Sequence, residues 1–308
     1  MDDPTTVTVI KEAHSAELAF RDPHPLLAGH VLGYTGADFS LPRPQVRQVT
    51  ALAAVMLLID FETPVRSLVT DAPGPPRSLV LSPVSGLSDR PFAIRQSGRE
   101  YGLVALLTPL GARALFGFPL WELARRRVHF TDLLGPDGRR LTERLAEAPD
   151  WPTRFRITDD FLLARIGAGP ELPPQVDWVW RRLTGPAAVP IGVVADEVGW
   201  SRQHLTARFH HEVGLPPKTV ARIARLQRVM SLMRGARPPS WADAAAMCGY
   251  ADQSHLNRDF RLLTGCTPAG FHTLTDDWSS VYIGNPRVYS ALSSAPGRRR
   301  RHSDLVPL

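Results

Sequence analysis

IGVVADEVGWSRQHLTARFHHEVG, Ile191 to Gly214, decides the fold of this chain, because ADAAAMCGYADQSHLNRDFRLLTG, Ala242 to Gly265, repeats its plan. In each stretch a short apolar helix ends at a glycine, Gly199 or Gly249. A second helix then carries Leu-x-x-x-Phe: Leu205 with Phe209, and Leu256 with Phe260. The two glycines lie 50 positions apart, so the unit is an internal repeat. Ile191, Val194, Ala195 and Val198 recur at i, i+3, i+4 and i+7, one face of a helix. Gly199 supplies the positive φ that a tight turn between helices needs. Ser201 and Asp252 are suitable N-caps for the second helices. Leu205 and Phe209 fold back on the first helix and leave Arg202, Gln203, Thr206 and Arg208 facing outward. Those side chains suit phosphates and base edges. In the second unit Leu256 and Phe260 face inward. Gln253, Ser254, Asn257 and Arg258 face outward, and His255 joins them as a DNA-facing candidate. One helical hairpin of this kind is as often plain packing as nucleic-acid binding. Two in tandem, joined by a basic helical segment, point to nucleic acid.

The region from about Gln175 to Leu274 resembles the DNA-binding domain of the AraC/XylS family of transcription regulators. The resemblance is carried by Ala195-Asp-Glu-Val-Gly199, Ser201 to Phe209, Glu212-Val-Gly-Leu-Pro-Pro217, Arg225-Leu226, Gly249-Tyr250, Asp252-Gln-Ser-His-Leu256, Arg258-Asp-Phe260 and Gly265-Cys-Thr-Pro268. It implies seven helices, with two helix–turn–helix units joined by a long helix, and recognition helices that enter successive major grooves. Gln203 and Thr206 would then read bases, and Arg202 a base or a phosphate. Arg258 matches the family's frequent arginine two positions after the inward leucine, a place suited to bidentate contact with guanine. The first unit departs from that pattern, with Ala207 in the equivalent place and the arginine one position later, at Arg208. Lys218, Arg261 and the amides at the starts of the recognition helices are expected on phosphates. The resemblance makes double-stranded DNA the partner. It leaves room for RNA polymerase, a small-molecule effector and a second copy of the chain, with no cofactor and no membrane.

The 308 residues have room for two domains, and 44% hydrophobic residues can build an ordinary core. The first 170 residues carry 19 basic and 19 acidic side chains; the remainder carries 17 and 11. The whole excess of +6 therefore lies in the half with the repeat, as phosphate binding favours. Cys248 at a core position and Cys266 in a turn make no disulfide framework, which suits a reducing cytoplasm. The opening MDDPTTV does not read as a signal peptide, and no apolar run is long enough for a bilayer.

The expected fold class is α+β: an N-terminal β-barrel or sandwich with flanking helices over 1–170, then an all-α domain over 175–274. His30–Tyr34, Leu52–Phe61, Ser78–Pro83 and Tyr101–Thr108 read as strands, with turns at Asp71–Pro76 and Gln96–Glu100. Leu103 to Leu123 is similar to the cupin-like N-terminal domain of some AraC-type regulators. Helices are expected within Ala112–Phe116, Leu141–Ala146 and Asp160–Ile166, either covering the barrel or pairing two copies. GAGPELPP, Gly167 to Pro174, is the linker. Val176, Val179, Trp180 and Leu183 then form the apolar face of an opening helix, with Trp178 off that stripe. Thr219 to Arg234 is a long amphipathic helix, of which about fourteen residues at about 1.5 Å each span roughly 21 Å. Its Arg222, Arg225 and Arg228 read as a solvated face, or Arg225 as a clamp within the domain. Asn285 to Leu308, with the run Arg298 to Arg301, is expected to be disordered.

No P-loop, HExxH, GxSxG or strand-borne GxGxxG is present in the sequence. His24 and His30 make no ligand set, and no catalytic or metal residues are proposed. Two rival readings remain: a cupin-like protein that binds or converts a small molecule, and a module whose helices dock on another protein.

Overall fold

A computed structural model describes residues 8–12, 16–69, 77–79, 81–233, 235 and 237–270. The turn expected at Asp71–Pro76 and the C-terminal tail with its four arginines lie outside the described residues. Among the described residues nine strands form one antiparallel sheet: β1 (Thr8–Glu12), β2 (Ala16–Arg21), β3 (Val31–Val49), β4 (Val55–Asp60), β5 (Val65–Val69), β6 (Arg77–Ser78), β7 (Pro83–Ser85), β8 (Phe92–Leu107) and β9 (Arg127–His129). The order is β1-β2-β3-β8-β4-β7-β9, and β5 pairs with β8 and β6 off this path.

Two long strands organise the sheet. β3 and β8 pair from Val31 opposite Leu107 to Val49 opposite Phe92. This corrects one sequence expectation. Gln96–Glu100 is not a turn between strands but part of β8. Gly98 takes φ 77° there, so the strand bends without ending. Pro42 and Pro44, which lack the amide a ladder needs, fall in the register shift between Leu41 and Gln45. Beyond the bend the two halves of β8 take different partners: β4 pairs with Gly102–Leu107, and β5 with Ala93–Ser97.

Three helices follow: α1 (Pro109–Phe116), α2 (Phe130–Glu147) and α3 (Trp151–Ala168). α2 and α3 run well beyond the segments expected from sequence. Gly135 at φ 57°, followed by Pro136, kinks α2, which breaks its apolar periodicity. α3 covers the sheet. The Tyr34 ring stacks on Phe155 with centroids 5.8 Å apart, and the Tyr34 hydroxyl donates to Asp159 Oδ1 at 2.8 Å. Arg21, also buried, pairs with Asp159. Under β4 and β8, Arg66 pairs with Asp60 at 2.9 Å and with Glu100, all three buried. Burial pushes both carboxyls above their ordinary range, against the pull of Arg66.

The helical C-terminal domain comprises α4 (Pro174–Thr184), α5 (Ile191–Glu197), α6 (Arg202–Val213), α7 (Pro217–Met233), α8 (Trp241–Met247) and α9 (Gln253–Thr264). Val176, Val179, Trp180 and Leu183 bury one face of α4, while Trp178 stays 39% exposed on the surface. The hydrophobic core is continuous from Ala19 in the sheet to Leu263 in α9. Among the described residues no helix is long and apolar enough to cross a membrane.

Candidate nucleic-acid interface

The repeat read from sequence is a repeat in space. In both units the amide after the glycine turns back onto the first helix: Trp200 donates to the Ala195 carbonyl at 3.0 Å, and Tyr250 to that of Ala245 at 2.9 Å. Gly199 and Gly249 take φ 70° and 74°, which a side chain would resist. The recognition helices α6 and α9 start alike. Ser201 Oγ accepts the His204 amide at 3.1 Å, and Asp252 Oδ1 the His255 amide at 2.7 Å. Such a cap is worth about 1 kcal/mol to each helix. Leu205, Phe209, Leu256 and Phe260 are fully buried, about 1.5–3 kcal/mol apiece by area. That burial fixes which face of each helix is left outside.

The outward face of α6 is a shallow open groove lined by Arg202, Gln203, Thr206, Ala207, His210 and Pro216. Arg202 leans over the start of α5, where a Cβ on Gly192 would stand 2.5 Å from its Nη2. The Thr206 hydroxyl donates to the Arg202 carbonyl at 2.8 Å. Arg208 is exposed but lies on the flank of α6, paired at 3.2 Å with Glu212, whose side chain is buried. Lys218 is exposed in the first turn of α7. On α9, Gln253, Ser254, Arg258 and Arg261 are exposed. His255 is half-buried and meets the Tyr250 ring edge-on at 5.3 Å. Asn257 is half-buried too, with Oδ1 buried and unmet by any described donor. The structure thus groups Arg202, Gln203 and Thr206 around one groove and sets Arg208 apart from them.

The arginines of α7 turn inward to partners rather than forming a solvated face. Arg222 donates to Asp259 Oδ1 at 2.7 Å, and Arg225 to Asp259 Oδ2 at 3.4 Å and to the Gly249 carbonyl at 3.3 Å. Arg225 also stands over the Tyr250 ring, 4.2 Å from its centroid. Arg228 reaches the Gly185 carbonyl at the end of α4. α7 therefore ties α4 to the second unit.

Sequence reading passed over Asp259 and Glu212. Asp259 was legible in principle: an acid on the inward stripe between Leu256 and Phe260 calls for a buried cation. Glu212 was less so, since its partner across the fold, Arg113, lies in a distant part of the chain. The pairing of Trp200 with His204, at 4.8 Å edge-on, repeats that of Tyr250 with His255. An aromatic after each glycine and a histidine in each first turn were the signal.

A family model described as a helix-turn-helix domain matches residues 194–273. Among solved structures, apo ToxT from Vibrio cholerae strain SCE256 is similar at 11% identity and TM-score 0.44, covering 78% of this chain and 97% of that one. Unsaturated fatty acid bound ToxT from the same strain is similar at 10% identity and TM-score 0.44, over 82% and 97%. The AraC-like transcriptional activator CuxR is similar at 14% identity and TM-score 0.29, over 72% and 86%. No curated protein matches the chain. The two units, capped, turned and packed alike, fall largely within the span that the family model matches, so residues 194–273 form a helix-turn-helix domain.

Proposed function

We propose that this chain is a DNA-binding transcription regulator of the AraC type, which reads duplex DNA with α6 and α9 in two successive major grooves. The single observation that carries the reading is the matched exposure of the two recognition helices. Their inward residues are buried, and Arg202 and Gln203 of α6 are exposed, as are Gln253 and Ser254 at the corresponding positions of α9. Gln203 and Thr206 read bases in the first unit, with Arg202 on a base or a phosphate. Gln253, Ser254 and Arg258 read bases in the second, with Asn257 and His255 beside them. Lys218, Arg261 and Arg208 meet phosphate. α7 has 17 residues, about 25 Å at ~1.5 Å each. With the width of the units added, that approaches the groove repeat of about 34 Å.

In this reading residues 1–170 sense and dimerise, residues 175–274 bind DNA, and the protein works in the cytoplasm, recruiting RNA polymerase. A small-molecule effector suits the polar interior of the sheet. Gln96 is 1% exposed there, and neither of its amide atoms meets a partner among the described residues. Selection of the full chain against a random duplex pool tests the DNA reading. Enriched sequences should hold two half-sites centred about 10 base pairs apart. A single half-site, or no enrichment, would refute it.

A further inference from the structure

We infer that the N-terminal β half is a brace that fixes the two recognition helices relative to each other, with Glu212 the positioning residue at its first bearing. The inference rests on the two-groove reading above. Both recognition helices end on a left-handed glycine, Gly214 at φ 95° and Gly265 at φ 77°, and both ends rest on the β half. At the first bearing a Cβ on Gly214 would stand 2.8 Å from the Leu120 carbonyl oxygen and 3.1 Å from the Ala124 Cβ, so only glycine closes the contact. The exposed Trp121 ring stacks on His211 with centroids 6.3 Å apart. Glu212, 3% exposed, faces Arg113 of α1 at 3.6 Å with one oxygen and Arg208 at 3.2 Å with the other. At the second bearing the Ala51 amide donates to the Leu263 carbonyl at 2.8 Å. A Cβ on Gly265 would stand 2.6 Å from Gln48 Nε2 and 3.5 Å from Pro91 Cγ.

The two bearings belong to one body. Gln48 is the last residue but one of β3, Pro91 precedes β8, and Arg113 sits in α1, directly after β8. Each bearing touches the last turn of a recognition helix, and Arg202, Gln203 and Thr206 of α6 and Gln253, Ser254 and Arg258 of α9 stay exposed. The β half therefore supports the reading heads without covering them. α7 alone would join the units through one connection, about which they could swing. The β half supplies a second connection, and two connections fix a spacing. Glu212 is where the brace can be loosened, because its charge is shared between the β half and α6. Arg208 serves this brace as well as any phosphate near it.

The test compares the wild-type chain, Glu212→Gln and Trp121→Ser on the duplex that wild type selects, and on versions with one to five base pairs inserted between half-sites. Wild type should prefer the selected spacing. Both variants should lose roughly tenfold on that duplex, as expected when preorganisation is lost, and bind the respaced duplexes as wild type does. Trp121 is 51% exposed, so its replacement leaves the core intact if Glu212→Gln folds poorly. A variant that weakens on all spacings alike, or keeps the wild-type preference, overturns the brace. A wild type with no spacing preference overturns the two-groove reading and the brace together, and is distinguished from the first failure by the wild-type curve alone.

Discussion

Arg258 is exposed on α9, one residue from Asp259, which is buried against α7. That neighbour pins the backbone, so the guanidinium extends from a fixed point. Arg258→Ala should cost about 1–3 kcal/mol at one base-pair position and relax preference there alone. Selection that returns an unchanged preference at every position refutes the role. Tyr250 carries a second residue-scale consequence. Burial, and then the charge of Asp259, push its phenol up to about 12. An unfolded tyrosine titrates near 10, so the folded chain holds this proton through a window in which the unfolded chain has lost it. The stability this represents is fully present below pH 10 and disappears as pH rises toward 12, at most about 3 kcal/mol for about two pH units. Tyr34, raised further by burial, adds to the same loss. Tyr250→Phe should therefore flatten part of the alkaline decline in melting temperature; an unchanged decline would contradict the shift. At this scale the inward residues were legible because helical periodicity sorts them. The half-burial of His255 and Asn257 was not, since it depends on which neighbours the turn brings up.

Among the elements, α7 and α9 depend on one carboxylate. Asp259 is 4% exposed and takes Arg222 and Arg225, themselves partly open to solvent. Asp259→Asn keeps the shape and removes the charge, leaving both guanidiniums short of a partner. Because those arginines reach water, the expected loss is about 2 kcal/mol rather than the larger cost of a fully buried pair. Thermal unfolding of the variant checks it, and an unchanged transition would show that the trio is incidental. The helices of this domain were readable from sequence because caps, glycine turns and apolar stripes are local signals. The sheet was readable only in fragments. Tyr101–Thr108 marked the apolar end of β8, but the polar half around Gly98 resembled a turn. Only its pairing with β3 and β5 holds it extended. α2 was half-found for a similar reason: Gly135 and Pro136 interrupt the periodicity that would announce it.

For the whole molecule the asymmetry of charge is the controlling fact. The first 170 residues are balanced, and the excess of +6 lies with the helices that present Arg202, Lys218, Arg258 and Arg261. If each of these four neutralises one phosphate, log affinity should fall with log salt at a slope of about −3.6. Between 50 and 200 mM salt that is roughly a 150-fold loss. Lys218 stands at the start of α7, outside both recognition helices, so the phosphate contact proposed for it would carry no sequence information. Lys218→Ala should weaken binding evenly across all duplexes and make the slope shallower by about 0.9. Arg258→Ala should change preference at one position first. The two variants separate holding from reading. Affinity titrations on selected and random duplexes at four salt concentrations decide the matter. A Lys218→Ala chain that loses sequence preference while its salt slope stays put would place Lys218 among the base readers. A wild type that ignores random duplex at low salt would hand these helices to a protein partner instead.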